Sequence, residues 1–169
     1  MMPLSNRRGH KFQSARGFSL IELLIVVAII LVIAAIAIPN FMRSRMAANE
    51  SASVQNMRNI TTANVVYSST YGIGYASTLA TLGPPPGSGQ PTINNSSLID
   101  DILAVGTKSG YTYTYTPGSP VNGVIDSFQL TAAPVAPGVT GNRYFFTDDS
   151  GVIRQNTSAV ATVSDTPIG

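Results

Sequence analysis

The 169-residue sequence predicts an α+β chain: one long N-terminal helix, apolar in its first half and amphipathic in its second, packed on a small antiparallel β-sheet head. Three patterns carry that reading. Leu23 to Ile38 is an unbroken apolar run preceded by Glu22. Val54, Met57, Ile60, Ala63, Tyr67 and Tyr71 recur at spacings of three or four, and Tyr111, Tyr113 and Tyr115 alternate with threonines. The first pattern suits a helix surrounded by apolar material, the second a helix with one packed face, the third a half-buried strand.

Residues 1–17 hold Arg7, Arg8, Lys11 and Arg16 and no acid, too polar for a core, and read as a cleaved basic leader. A secretory signal places its small-residue cleavage site after the apolar stretch. Here AAIAIPNF offers no convincing site, and the boundary glycine, Gly17, precedes the run. Cutting between Gly17 and Phe18 removes the leader, keeps the helix, and leaves a new α-amino group four residues from Glu22. An ionised carboxylate in a membrane segment is costly unless it is neutral, at the interface or paired. Glu22 is therefore a candidate functional residue, with snorkelling at the lipid boundary as the plain structural alternative.

Gly17-Phe18-Ser19-Leu20-Ile21-Glu22, the apolar run, and Pro39 with Asn40-Phe41 resemble the prepilin class 3 signal of type IV pilins and type II secretion pseudopilins, most strongly over residues 7–45. The resemblance implies a pilin-like fold. It implies that a membrane prepilin peptidase and methyltransferase cuts after Gly17 and N-methylates Phe18, and that Glu22 pairs with the Phe18 amine of an adjacent subunit. It further implies self-association into a helical filament whose assembly helix includes Pro39, driven by an inner-membrane platform and a separate ATPase. Leu31 departs from the pattern, because many members carry a helix-loosening glycine there.

Phe18 to Ile38 provides 21 residues, matching the ~20 that cross a bilayer as helix, and the basic leader places the N-terminal side in the cytoplasm. In the bacterial inner membrane the head is then periplasmic before export to a pilus or retention in a pseudopilus. Pro39 lacks an amide hydrogen and crowds the preceding turn. Because residues 40–71 contain no Gly or Pro, the sequence predicts a kinked continuation to about Tyr71 rather than a stop. The helix from Phe18 is then roughly 80 Å long at ~1.5 Å per residue. Its stripe of Val54, Met57, Ile60 and Tyr67 is read as core. Arg43 and Arg45 suit subunit contacts, anionic headgroups or plain solvation.

Gly72 and Gly74 end the helix, and GPPPGSGQP forms an exposed loop; its use as a proline-binding-domain ligand is the weaker reading. Ser97 as cap with Asp100 in the first turn predicts a short helix over Leu98 to Val105. GYTYTYTP and DSFQLTAA read as strands, the tyrosines as sheet packing rather than a nucleic-acid platform or electron path. Two further strands flank Asp148-Asp149-Ser150-Gly151, a turn with positive φ expected at Gly151. Asp148, Asp149 and Ser150, with Asp165, also offer oxygen ligands to Ca²⁺. The resemblance strengthens that alternative, since some pseudopilin heads bind calcium through an acidic loop, but the sparse set favours a plain turn. Asn59-Ile60-Thr61, Asn95-Ser96-Ser97 and Asn156-Thr157-Ser158 match the short glycosylation pattern, which is common by chance.

The chain thus divides into a leader over 1–17, a transmembrane and filament-core helix over 18–38, an amphipathic outer helix over 39–71 and a head over 72–169. Cutting after Gly17 leaves 152 residues with six basic and eight acidic side chains, a net of −2, so the apparent basicity belongs to the leader and nucleic acid is not an expected partner. With no cysteine there is no disulfide or thiolate site. His10 falls in the leader, the acids form no recognisable acid–base pair, and no phosphate-binding loop is present, so no enzyme and no cofactor are expected. Three functions are carried forward: a pilus-like filament subunit, a major-type pseudopilin driving protein export, and a membrane-anchored binding module that does not polymerise.

Overall fold

The computed structural model describes residues 17–87 and 89–168. Arg7, Arg8, His10, Lys11 and Arg16 lie outside the described residues. The order is α1 (Leu20–Tyr71), α2 (Leu79–Leu82), α3 (Asp101–Ala104), β1 (Thr107–Lys108), β2 (Tyr111–Pro117), β3 (Phe128–Pro134), β4 (Tyr144–Asp148), β5 (Arg154–Asn156) and β6 (Thr166–Pro167). The chain forms two compact units, one ending at Pro39 and one starting at Asn40.

α1 has 52 residues and contains Pro39, so the helix continues past the proline as the absence of later breakers implies. It ends where Gly72, with φ +69°, donates its N–H to the Ser68 carbonyl at 2.9 Å. A left-handed residue at that position is the usual glycine stop.

In the second unit the strands form one antiparallel sheet in the order β1-β2-β3-β4-β5-β6, a meander in which each strand pairs with its chain neighbours. The register aligns Tyr113 with Ala132 and Ala132 with Phe145, and aligns Tyr115 with Leu130 and Leu130 with Thr147. Alternation then puts Tyr111, Tyr113, Phe128, Leu130, Ala132, Phe145 and Thr147 on one buried face. Thr112, Thr114, Thr116 and Gln129 are exposed on the other.

The buried stripe of α1 is Glu50, Ser53, Asn56, Met57, Ile60, Ala63, Asn64 and Tyr67. Met57, Ile60, Ala63 and Tyr67 join the sheet residues in the core as expected, with Val54 and Tyr71 at its margin. Of the polar members, Glu50, Asn56 and Asn64 are bonded to specific partners, whereas the buried Ser53 hydroxyl has none. Asn56 Nδ2 donates to Tyr113 Oη at 3.0 Å, and Asn64 Oδ1 accepts from Ala76 N at 3.1 Å. Tyr115 Oη lies 2.8 Å from the Ala76 carbonyl and 3.1 Å from Asn64 Oδ1. Buried hydrogen bonds of this kind are each worth about 1 kcal/mol net and cost more when one partner is lost.

Two expectations are corrected. The short helix begins at Asp101 and ends at Ala104, with Asp100 as its cap: Asp100 Oδ1 accepts from Leu103 N at 3.0 Å. Ser97 is not the cap. Its φ is +55°, and the N–H groups of Ser96, Ser97, Leu98 and Ile99 donate to carbonyls of Thr81, Gly83 and Leu82, which holds this stretch out of the helix. The sheet also has two strands beyond the four expected, the two-residue β1 and β6, and α2 was not anticipated.

Candidate functional site

The unit ending at Pro39 holds the four residues singled out for processing and assembly. Gly17 and Phe18 precede the helix, and Phe18 is 88% exposed. Ser19 occupies the cap position: its carbonyl accepts from Leu23 N at 3.2 Å, and its N–H donates to Glu22 Oε2 at 2.8 Å. Glu22 therefore supplies the carboxylate half of a capping box, satisfying an amide at the helix start while its charge lies at the positive end of the helix dipole. The Ser-x-x-Glu spacing of Ser19 and Glu22 is the sequence signal of that box. Pro39 sits inside α1 and is exposed.

From Leu20 to Ile38 every large apolar side chain is exposed, none below Val27 at 45%. Covering one Val, Leu or Ile is worth about 1.5–3 kcal/mol, so such a run demands lipid or protein around it. Among the described residues α1 is the one helix long and apolar enough to cross a membrane. Glu22 is the sole charged residue between Phe18 and Met42, one carboxylate at the end of a surface that otherwise has only apolar contacts to offer.

Among its described residues the second unit presents no comparable constellation. Asp148 Oδ1 accepts from both the N–H and the hydroxyl of Ser150, while the Asp148 carbonyl accepts from Gly151 N at 3.0 Å, and Gly151 has φ +72°. This is the expected hairpin turn. Asp165 is engaged elsewhere: it accepts from Thr162 N at 2.6 Å and from Asn156 Nδ2 at 2.8 Å, and the Thr162 amide holds its carboxyl below the usual range. Among the described residues no three His, Cys, Asp or Glu gather as a metal-binding group, so Asp165 does not join Asp148 and Asp149 in one set.

Glu50, which the sequence does not single out, has its carboxylate held by three hydrogen bonds, one of them an ion pair. Its Oε1 accepts from Asn142 N at 2.8 Å and Arg143 N at 3.2 Å, and its Oε2 pairs with Arg143 Nε at 2.7 Å. Arg143 also donates to Gln155 and lies 5.5 Å from the Phe145 ring centre. Burial pushes the Glu50 carboxyl up, but these donors outweigh it and hold it below its ordinary value. The group staples α1 to the loop before β4.

The description "prokaryotic N-terminal methylation motif" matches residues 13–38. The chain is 52% identical over 48 residues to the type IV major pilin protein PilA of Myxococcus xanthus, covering 28% of this chain and 22% of that protein. It is 54% identical over 39 residues to the type IV wide pilus major component PilA4 of Thermus thermophilus, covering 23% and 30%. The chain thus spans less than a third of the length of each of these curated relatives. No solved structure matches it.

Proposed function

We propose that this type IV pilin-like chain is a structural subunit of a type IV pilus-like filament, cut after Gly17, N-methylated on Phe18, held in the inner membrane by α1 and then extracted into a helical assembly. The observation that carries this reading is that every large apolar side chain of α1 from Leu20 to Ile38 is exposed, with the one carboxylate of that stretch, Glu22, in the first turn beside the processing motif. Assembly replaces lipid around Leu20 to Ile38 with the same surface of neighbouring copies. The new Phe18 amine of one subunit meets Glu22 of another, and an ion pair out of water fixes axial register because either charge left alone there is costly. Both relatives named above are major pilus components, which weighs for a pilus over a secretion pseudopilus. The peptidase, the membrane platform and the ATPase are separate proteins in this scheme. The Asp148–Gly151 segment serves as a turn, with no ion assigned to it.

Intact mass and N-terminal peptide analysis of the protein from native membranes tests the processing step. The expected mature chain begins with N-methyl-Phe18; a mature chain beginning at Met1, or cut after Ala37, overturns the proposal.

A further inference from the structure

Charge is unevenly divided within the unit that starts at Asn40. From Asn40 to Tyr71 the helix carries Arg43, Arg45 and Arg58 against Glu50 alone, a net of +2. Residues 72–168 carry Lys108, Arg143 and Arg154 against Asp100, Asp101, Asp126, Asp148, Asp149 and Asp165, a net of −3. The cations of the head are engaged within the chain: Lys108 pairs with Asp100, Arg143 with Glu50, and Arg154 donates to the Asp165 carbonyl. Among the described residues the three helix arginines have no ion pair, and all are exposed.

Two of these arginines share a face. At about 100° per residue, Arg43, Ala47, Ser51, Arg58 and Val65 fall within about 80° of one another on the helix circumference. All five are exposed, while Val54 and Thr61 in the same arc are half-buried and Val54 packs against the core, so the head of the same chain covers that part of the flank and leaves the arginines open. Ala47 and Ser51 between the arginines let another surface approach closely. A membrane surface does not account for the flank, because Arg58 lies about 22 Å beyond Arg43 along the helix. That is more than twice the ~10 Å over which headgroup charge is felt.

The complementary surface is on the head. Asp149 is exposed, and among the described residues its carboxylate has no ion pair. With Asp148 it lines an open groove of about 310 Å³ together with Thr116, Ser119, Ser127 and Gln129. Hydroxyl, amide and carboxylate oxygens converging there suit a planar guanidinium with five donors. A contact between two different surfaces of one chain repeats without closing, which is how identical subunits build an open filament.

We propose that the Arg43–Arg58 flank of α1 in one subunit docks on the Asp148–Asp149 edge of the head of a neighbouring copy. This rests on the filament reading. The test uses the full chain in filament-forming cells lacking the parental gene. Arg58→Glu and Asp149→Arg are each expected to lower filament yield at least ten-fold, or to make filaments dissociate at lower salt, and the double exchange to restore yield to within two-fold. Because the chain has no cysteine, Arg58→Cys with Asp149→Cys is also expected to give a ladder of disulfide-linked subunits on oxidation of intact filaments. Wild-type yield from both single variants, a double exchange no better than either single, or no disulfide ladder overturns the contact. So does loss of wild-type binding to phosphatidylglycerol vesicles in Arg58→Glu with filaments unchanged, which assigns the flank to membrane. Failure of the parental chain to form filaments strikes the filament reading itself, whereas failure of the exchange beside intact parental filaments strikes only this contact.

Discussion

Glu22 has two acceptors' worth of work and one carboxylate to do it with. In the isolated chain its Oε2 takes the Ser19 N–H at 2.8 Å, which leaves Oε1 open to the amine of a neighbour. Glu22→Gln keeps an acceptor oxygen for that amide and removes the charge. Membrane insertion should stay at the parental level in both Glu22→Gln and Glu22→Val, with the Ser19 amide losing its acceptor only in Glu22→Val, while filament yield falls steeply in both; parental filament yield from Glu22→Gln in cells without wild-type subunit would show that charge pairing is not needed. Two glycines separate strain from crowding in the same way. A Cβ at Gly151 meets Thr61 only at ordinary contact distance, 3.8 Å, so Gly151→Ala carries the left-handed backbone penalty alone, about 1 kcal/mol. At Gly74, with φ +82°, a Cβ would overlap the Ile125 carbonyl, where Tyr75 N donates at 2.7 Å. Gly74→Ala should therefore lower stability at least twice as much in a denaturant titration of a fragment beginning at Asn40. Equal losses would place the cost in backbone conformation at both sites.

At the scale of elements, the staple between α1 and the loop before β4 is the most exposed to mutation. Arg143→Ala removes the guanidinium from Glu50 Oε2 and leaves a buried carboxylate with only its two backbone donors. The loss should be about 1–3 kcal/mol in the same titration, since the pair is partly open to solvent. A loss under a few tenths would mean the backbone N–H groups suffice. This staple also marks where sequence reading stops. The apolar positions Met57, Ile60, Ala63 and Tyr67 were legible because hydrophobic periodicity reports burial directly, and the alternating tyrosines of β2 were legible for the same reason. Glu50, Asn56 and Asn64 lie on the same stripe but read as solvent-facing, because their partners, at Arg143, Tyr113 and Ala76, are 12 to 93 residues away. β1 and β6, at two residues each, are too short to show alternation, and α2 is a single turn capped by Thr78. The processing motif was legible because it is local: Gly17, Phe18, Ser19 and Glu22 sit within six residues.

For the molecule as a whole, three carboxylates tie stability to pH. Glu50 is pushed up by burial and brought below 4.5 by the amides of Asn142 and Arg143 and by the Arg143 guanidinium. Asp100 is likewise pushed up by burial and brought below 3.8 by Lys108 and the Leu103 amide, and Asp165 is lowered chiefly by the Thr162 amide. A carboxyl whose folded value lies below its unfolded one contributes stability that is complete above the unfolded value and lost as pH falls through the folded value. The unfolding midpoint should therefore be insensitive to these groups above pH 4.5 and fall steadily below it. Burial raises the phenols of Tyr111 and Tyr115 from 10, so a second loss is expected as pH climbs above 10, where the unfolded chain releases protons that the folded chain retains. Glu50→Gln isolates one share of the acid limb. At neutral pH it should cost about 1–2 kcal/mol, because the charge-assisted bonds to Arg143 become neutral ones. As pH drops the parental Glu50 takes up its own proton, so the two midpoints should converge, and a gap that stays constant down to pH 2 would show that Glu50 contributes by packing rather than by charge.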